Sequence, residues 1–249
     1  MKSYDLIIKN AQIHTMDEDR KVYAKGIIGI EGEKITLIKE MNELTPEELQ
    51  ECEGAGRVID AEGKVVFPGF IDTHIHIFQS FLKGLGADHR LIEWLNLSAL
   101  PYGQYMTPHQ HELAAQLACM EAIKSGCTTM SEFFYTNQDS ELAHSCIEGM
   151  VSTGIRSVFI RTFQDTGEEY GMPKCFLEPV GKAMKEVDAL KKAYKENDML
   201  SIWTGPDVTW STTKEGYQEM LEYCLNENVR YSMHIKETEV DNEMCGRYY

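Results

Sequence analysis

The sequence has few basic residues beside its acidic ones. Its 249 residues include 24 Lys and Arg against 40 Asp and Glu, which gives a formal net charge of −16 at pH 7. Nucleic acids and anionic membranes bind positively charged surfaces, and the chain has no basic run, so we expect neither as a partner. Near the N-terminus the only apolar run covers residues 6–8, which is too short for a signal peptide or a membrane span.

Paired cysteine motifs are also missing. The seven cysteines are scattered, and no Cys-x-x-Cys occurs. An odd number of scattered thiols is typical of a reducing compartment, so we expect free cysteines and a cytoplasmic protein. The lack of a Pro-Cys-x-x-Cys pair excludes the zinc deaminases whose metal is held by two such cysteines.

The N-terminal part of the chain has the pattern of a small all-β sandwich module, which we place at residues 1–64. Short apolar runs separated by turn residues predict strands there, with one polar helix over 45–52. Two glycine-containing turns predict hairpins, Glu31-Gly32-Glu33 and Ala61-Glu62-Gly63. The strands are predicted at 5–8, 12–16, 26–30, 34–38, 57–60 and 64–66.

From residue 65 onwards strands alternate with helices, which predicts a parallel sheet with helices outside it. Strands are predicted at 66–76, 156–163, 199–206 and 229–234, and another starts at 126–130; helices are predicted at 107–124, 140–152, 178–197 and 214–228. In the helix over 107–124 we expect Leu113, Leu117 and Met120 to form the buried stripe. The fold class is therefore α/β of the (β/α)8 TIM-barrel type. Because such a barrel needs about 250 residues, residues 65–249 can hold only about five strand-helix units, and the sequence is expected to be the N-terminal part of a longer protein.

Two histidines, His74 and His76, stand one residue apart at the end of the first of these strands. Side chains alternate along a strand, so both imidazoles project to the same side and can bind one divalent metal ion. The alternative is a strand with two half-buried histidines that bind nothing. Pro68-Gly69 fixes a sharp entry to the strand and favours the first interpretation.

The segment Val65 to His76 (VVFPGFIDTHIH) resembles the first barrel strand of the amidohydrolase superfamily of metal-dependent hydrolases. The following stretch, from His74 to Leu95, is similar to the branch that contains triazine hydrolases, guanine deaminase and the deaminases of S-adenosylhomocysteine and methylthioadenosine. The resemblance covers essentially the whole chain.

This resemblance implies further site residues. His234 matches the third metal-binding histidine, at the end of the fifth strand, and Glu237 matches the glutamate that carries protons between water and the leaving group. The fourth strand has no lysine in 200–206, and a carboxylated lysine holds two metals in the cyclic amidases. The resemblance therefore implies a single metal ion, Zn²⁺ or Fe²⁺. Two further groups of the family, a histidine after strand 6 and an aspartate after strand 8, fall beyond Tyr249.

Two polar residues are candidate substrate contacts. Gln79 has the spacing of a glutamine that borders the substrate in the triazine and guanine branch, although it can also be an ordinary loop residue. Asp207 stands where relatives commonly carry histidine after Gly-Pro, so the ring contacted there is expected to differ; alternatively Asp207 caps the following turn. Trp94 lies in a long segment that can cover the site, and we expect it to pack in the core of that segment.

The remaining histidines carry less information. His109, His111 and His144 fall on outer helices, where we expect them to be solvated, and His89 is left open. Lys236 is expected to be a solvated loop residue.

These inferences predict a hydrolase that acts on C–N bonds. The expected reaction is hydrolytic deamination of an amino-substituted N-heterocycle (a purine, pterin, triazine or adenosine-like ring), by a metal-bound hydroxide with Glu237 as proton shuttle. The alternatives are a chlorohydrolase-type displacement on a triazine-like ring and a non-catalytic fragment. The partner is a small heterocyclic substrate, and a homo-oligomer stays open. The printed chain alone is expected to lack turnover, because the groups after strands 6 and 8 are absent from it.

Overall fold

The computed structural model describes residues 3–248, with side chains described up to residue 246. The chain divides into two compact units, Met1–Gly69 and Phe70–Tyr249. The division falls a few residues after the boundary expected at 64/65. Among the described residues, no helix is both long and apolar enough to cross a bilayer.

The first unit is a five-stranded sheet with one helix. Its elements are β1 (Leu6–His14), β2 (Val22–Glu31), β3 (Lys34–Glu40), α1 (Pro46–Glu53), β4 (Arg57–Asp60) and β5 (Val65–Val66). The strand order is β3-β2-β1-β4, and β5 also pairs with β1. The hairpin predicted at Gly32 is confirmed, because β2 and β3 pair antiparallel and this glycine has a φ of 57°. Helix α1 begins at a capping box in which Thr45 and Glu48 bond each other's backbone N–H.

The second predicted hairpin is wrong. Strands β4 and β5 both pair with β1, and both do so in parallel, so the chain keeps its direction through residues 61–64. The reason lies in the linker: Ala61 is buried at 6% exposure, and Glu62 and Gly63 both take positive φ values of 50° and 80°. The backbone N–H groups of Ala61 and Gly63 donate to the carbonyls of Lys9 and Asn10, so the linker stays attached to β1 and β5 continues along the same neighbour.

The second unit is an α/β structure with a parallel sheet, as predicted. Its strands are β6 (Phe70–Ile75), β7 (Cys127–Phe134), β8 (Arg156–Phe163) and β9 (Leu200–Pro206), in the order β6-β7-β8-β9. Its helices are α2 (Leu91–Trp94), α3 (Leu100–Gly103), α4 (Pro108–Lys124), α5 (Ser140–Ser152), α6 (Val180–Ala193), α7 (Lys214–Glu227) and α8 (Glu239–Tyr248). Each of β7, β8 and β9 is preceded and followed by a helix, so the carboxyl ends of all four strands lie at one edge.

The segment predicted as the fifth strand pairs only at isolated points with β9 and the residues that follow it. Parallel bridges join Thr204 to Tyr231 and Val208 to His234, and no continuous ladder forms between them. The residues run beside β9 in the expected direction, but each point of attachment is a single residue pair.

The buried face of α4 is not the one predicted. Leu113, Leu117 and Met120 are exposed at 42%, 36% and 51%. The buried side chains of this helix are small, apart from one histidine: His111, Ala114, Ala115, Ala118, Cys119 and Ala122. The physical reason is the close approach of α5, where a Cβ on Gly149 would lie 2.5 Å from the Glu112 carbonyl oxygen. Only small residues fit such a contact, so the leucines face outwards.

Candidate metal centre

Strand β6 ends at Ile75 and delivers two histidines to the carboxyl edge of the sheet. The Asp72 carboxylate accepts a hydrogen bond from the His74 backbone N–H at 3.2 Å, which holds the strand end. The His76 side chain is fixed by the neighbouring strand β7, because its Nδ1 lies 2.8 Å from the Phe133 carbonyl oxygen. A carbonyl only accepts, so Nδ1 carries the hydrogen and Nε2 keeps a free lone pair.

The third histidine, His234, is held by one residue that follows β9. The Asp207 carbonyl oxygen lies 3.1 Å from the backbone nitrogen of His234 and 2.9 Å from its Nδ1. The Asp207 carboxylate is also 3.6 Å from the same Nδ1. Here too Nδ1 donates and Nε2 is left with its lone pair.

The Nε2 atoms of these three histidines converge. His234 Nε2 lies 3.2 Å from His76 Nε2 and 3.1 Å from His74 Nε2. All three candidate ligand atoms lie within 4.8 Å of one another, and within the described part of the chain this is the one such group of three His, Cys, Asp or Glu residues. Two nitrogens bound tetrahedrally to one zinc ion at about 2.0–2.1 Å lie about 3.3–3.4 Å apart. The spacing and the exposed lone pairs therefore suit a shared divalent cation.

The electrostatics of the cluster favour neutral imidazoles at its base. Burial and the charge of His234 lower the pKa of His76 to about 3, and the same two causes lower the pKa of His74. Burial also acts to lower the pKa of His234, but the hydrogen bond and charge of Asp207 outweigh it and raise that pKa. Neutral imidazole is the form that binds a metal, and a carbonyl or carboxylate on Nδ1 is the usual arrangement around a ligating histidine.

Glu237 lines the same cavity as the three histidines. Lys236 directs it there, since this residue takes a left-handed conformation with φ of 52° and turns the chain directly after the His234 segment. Burial, followed by the charges of Asp241 and Asp207, raises the pKa of the Glu237 carboxyl, while the charge of His234 acts in the opposite direction. A carboxyl with a raised pKa beside a cation site is suited to taking up and releasing a proton.

The two candidate substrate contacts also line this cavity. Gln79 lies in the 3₁₀ turn Ile77–Leu82, and its Nε2 donates to the Tyr135 hydroxyl at 2.8 Å. Asp207 is buried at 5% exposure, and its carboxylate lies 3.6 Å from Nδ1 of His234.

The cavity has a volume of about 300 Å³ and a largely apolar wall. That volume is at the lower end of the range for small-molecule sites. Trp94 lines it in addition to packing in the core beneath, so the prediction that Trp94 belongs only to that core is incomplete. The apolar lining consists of Leu91, Trp94, Leu95, Leu100, Met172, Val208 and Trp210.

Sequence reasoning missed two polar residues near the histidines. Tyr135 directly follows β7, and its ring packs edge-on against His76 with centroids 4.9 Å apart. Glu132, fully buried on β7, accepts a hydrogen bond from the Ile77 backbone N–H at 2.7 Å. Only the start of this strand, residues 126–130, follows from the sequence pattern; its end at Phe134 places Tyr135 at the strand end, where site residues of this architecture occur.

Of the remaining histidines, the prediction for His111 is wrong. This side chain is fully buried, and its Nε2 lies 3.4 Å from the Thr136 hydroxyl. It lies on the side of α4 that α5 and the sheet cover. His109 is exposed, as expected, and His144 is partly buried against Tyr194. His89 is exposed and lies 3.7 Å from Glu93.

Comparison with known proteins gives a consistent grouping. The amidohydrolase family matches residues 65–248. A 5-methylthioadenosine/S-adenosylhomocysteine deaminase from Bacillus cytotoxicus is 28% identical over 241 residues, which is 96% of this chain and 52% of that protein. The chain thus spans about half the length of the curated relatives it matches.

Two solved structures show the same fold. The zinc complex of atrazine chlorohydrolase TrzN from Arthrobacter aurescens TC1 superposes with a TM-score of 0.80 at 21% identity, over 98% of this chain and 55% of that one. Guanine deaminase from C. acetobutylicum with bound guanine gives a TM-score of 0.79 at 16% identity, over 97% and 59%. At these identities the likeness concerns the fold alone.

Proposed function

We propose that this chain, which belongs to the amidohydrolase family, supplies metal-binding and proton-transfer residues of a hydrolytic deaminase for an amino-substituted N-heterocycle. The observation that carries the proposal is the convergence of three Nε2 atoms: that of His234 lies 3.1–3.2 Å from the other two. Carbonyl contacts on Nδ1 fix the rings of His76 and His234. The similarity to a methylthioadenosine/S-adenosylhomocysteine deaminase supports deamination as the reaction.

His74, His76 and His234 would hold one divalent ion, Zn²⁺ or Fe²⁺. Both ions accept imidazole ligands, and the zinc complex of the structurally similar chlorohydrolase supports zinc. When bound, such an ion makes water acidic enough to act as a nucleophile at neutral pH. The rest of the chemistry falls to the side chains of the cavity.

Glu237 is proposed to move the proton. As a carboxylate it takes a hydrogen from the attacking water, and as a carboxylic acid it delivers this hydrogen to the ring nitrogen. The departing amine takes a second hydrogen, which the new hydroxyl group on the ring carbon gives up when the C–N bond breaks. Its raised pKa supports this exchange, because a group that is too weak a base would hold no proton to return. Asp207 keeps the His234 ring oriented, and with Gln79 it offers polar contacts to the ring of the substrate.

A displacement of chloride from a triazine-like ring is the second candidate, supported by the fold likeness to atrazine chlorohydrolase. Chloride needs no proton to leave, whereas ammonia does. The two reactions therefore differ in their dependence on Glu237 as an acid.

The test uses the whole protein that the gene encodes, loaded with zinc or iron. Amino-purines, pterins, triazines and adenosine analogues are incubated with it, and ammonia and chloride are measured separately. Ammonia release that disappears in His76→Ala but persists in His109→Ala, a change of an exposed histidine, supports the proposal. Chloride release without ammonia release favours the second candidate, and neither product from any compound favours a non-catalytic chain.

A further inference from the structure

The hydroxyl of Tyr135 and the amide of Gln79 form a connected pair at the cavity wall. Gln79 Nε2 donates to the Tyr135 hydroxyl oxygen at 2.8 Å, and both residues line the cavity that contains the three histidines. Tyr135 is exposed at only 3%, and its ring lies against His76 and Phe78 with centroids 4.9 and 5.1 Å apart. The position of the hydroxyl is therefore set by packing.

Each member of the pair has one hydrogen-bonding group left over. The Tyr135 oxygen already accepts from the amide, and among residues 3–248 no protein acceptor takes its hydrogen. The Gln79 amide has donated through Nε2, and its Oε1 has no protein donor in the same described range. The pair thus presents one donor, the phenol hydrogen, beside one acceptor, the amide oxygen.

A phenol hydroxyl keeps its hydrogen at neutral pH, so Tyr135 is available as a donor. A buried hydroxyl that makes no bond with its hydrogen costs free energy, and a ligand atom can supply the missing partner.

We propose that Gln79 and Tyr135 together read an amidine edge of the substrate ring, in which a ring nitrogen acceptor stands beside an N–H donor. This proposal rests on the proposed function and names the substrate class. That class is a free amino-heterocycle that keeps this N–H, in preference to a nucleoside, in which the same nitrogen carries the sugar. The ring nitrogen accepts from Tyr135, and the adjacent N–H donates to Gln79 Oε1. A site built to pair polar groups rejects analogues that lack them, because its own groups are then left unpaired.

Adenine and two analogues separate the two contacts. Adenine carries N3, which lies across the six-membered ring from the amino-bearing carbon, beside N9–H. 3-Deazaadenine lacks the acceptor, and 9-methyladenine lacks the donor. Calorimetry measures the binding of each compound to the whole, zinc-loaded protein, so that the readout does not depend on turnover.

The variants are Tyr135→Phe, Gln79→Leu and, as a control, Tyr194→Phe, which removes a hydroxyl bonded to His144 and Glu148 on the helices. We expect Tyr135→Phe to weaken adenine by about tenfold, the size of one good hydrogen bond, and to leave 3-deazaadenine unchanged. Gln79→Leu should remove the preference for adenine over 9-methyladenine. Tyr194→Phe should change none of the three affinities.

Several results would overturn the proposal. An equal loss for all three ligands in Tyr135→Phe would mean that the residue supports the cavity without reading the ring. Equal binding of adenine and 9-methyladenine by the unchanged protein would mean that Gln79 does not accept from the ring. Failure of the protein to bind any of the three ligands would mean that Gln79 and Tyr135 do not recognise such a ring.

The experiments distinguish failure of this proposal from failure of the proposed deamination. If the predicted binding preference occurs but no ammonia is released, the proposed role of Gln79 and Tyr135 is supported and the deaminase proposal fails. If ammonia is released from several rings with no such preference, the deaminase proposal is supported and the proposed role of Gln79 and Tyr135 fails.

Discussion

The two segments that bring the three clustered histidines together are built very differently. His74 and His76 stand at the end of β6, a strand that pairs in parallel with β7 although the register shifts twice, and the carbonyl of Phe133 on β7 fixes the second ring. His234 belongs to no strand; it is attached through two isolated bridges and through the backbone and side chain of Asp207. The first pair is positioned by a sheet, and the third ligand by essentially one residue.

This difference indicates which histidines have a fixed position and which one can shift. A sheet distributes the cost of moving a side chain over many hydrogen bonds, whereas a segment held at single points can shift by changing few. We therefore expect the β6 side to define the position of the ion and the Asp207–His234 side to respond to substitutions nearby. Glu237 follows His234 by three residues, so any shift of that segment moves the proposed proton carrier as well.

Removing the sheet-held ligand should have the largest effect. His76→Ala deletes one nitrogen and leaves the Phe133 carbonyl without its donor, so zinc affinity should fall by well over about 100-fold, since the loss of an outer partner alone costs 10–100-fold. Competition with a fluorescent zinc chelator measures this. The matched control is His109→Ala on the exposed face of α4, and an equal loss in both variants would contradict the assignment.

Glu237→Gln should leave zinc binding intact and lower turnover by about 10²- to 10⁴-fold, the usual contribution of a general acid-base group. Glu239→Gln, an exposed change two residues later, should leave turnover unchanged. Rates of ammonia release are compared at saturating substrate, with zinc content measured on the same samples. A full rate in Glu237→Gln would remove this carboxyl from the mechanism.

Substitutions at Lys236, the left-handed residue between His234 and Glu237, test whether the segment that carries these two residues can shift. Lys236 has a φ of 52°, a conformation that a β-branched residue adopts only with a strain of about 1–2 kcal/mol or more. Lys236→Val should therefore displace Glu237 and lower turnover several-fold, while Lys236→Gly should not. Because the side chain of Lys236 is exposed, the loss of its charge is common to both variants. Equal rates in the two would show that the turn does not position Glu237.

The support beneath His76 should appear in the pH dependence of stability. Burial raises the pKa of the Glu132 carboxyl to about 8 from an ordinary value of 4.5, although the hydrogen bond from Ile77 acts against this. The folded state then binds more protons than the unfolded state between these values, so the contribution of Glu132 to stability is present below about pH 4.5 and is lost as the pH rises towards 8. Glu132→Gln keeps an acceptor for Ile77 N–H without titrating.

Melting temperatures of both proteins are measured from pH 5 to pH 8. The difference between Glu132→Gln and the unchanged protein should shift in favour of the variant as the pH rises, by a few degrees. A difference that stays constant over this range would show that Glu132 does not titrate there.

The smallest effect is expected on α4. Leu117→Gln changes a side chain that is 36% exposed and should alter the free energy of unfolding by only about 0.5 kcal/mol. Ala118→Leu, one position along the helix, adds bulk at 3% exposure and should destabilise by about 1–3 kcal/mol. Urea unfolding compares them, and the reverse order would restore the interpretation in which the leucine stripe is buried.

The sequence was most informative where local pattern and strand ends coincide. His-x-His after an apolar run and His-x-x-Glu after another, together with the family resemblance, identified four residues that line one cavity. The parallel α/β class followed from alternation alone. In both cases a short, repeated geometry maps directly onto the sequence.

What the sequence could not give depends on contacts between distant segments. The stripe of leucines on α4 matches a buried helix face, yet Gly149 of α5 brings a backbone so close that only alanine-sized residues fit between. The linker at Glu62 looks like a hairpin turn, and only its pairing with β1 shows that the chain keeps its direction. Tyr135 became visible as a site residue only once the true end of β7 was known.

The convergence of three histidines on one ion is tested most directly by anomalous diffraction at the zinc edge, on crystals of the zinc-loaded protein. We predict a single strong peak at about 2.0–2.1 Å from the Nε2 atoms of His74, His76 and His234. A peak bound through other residues, or no peak near these three rings at full zinc loading, would contradict the account.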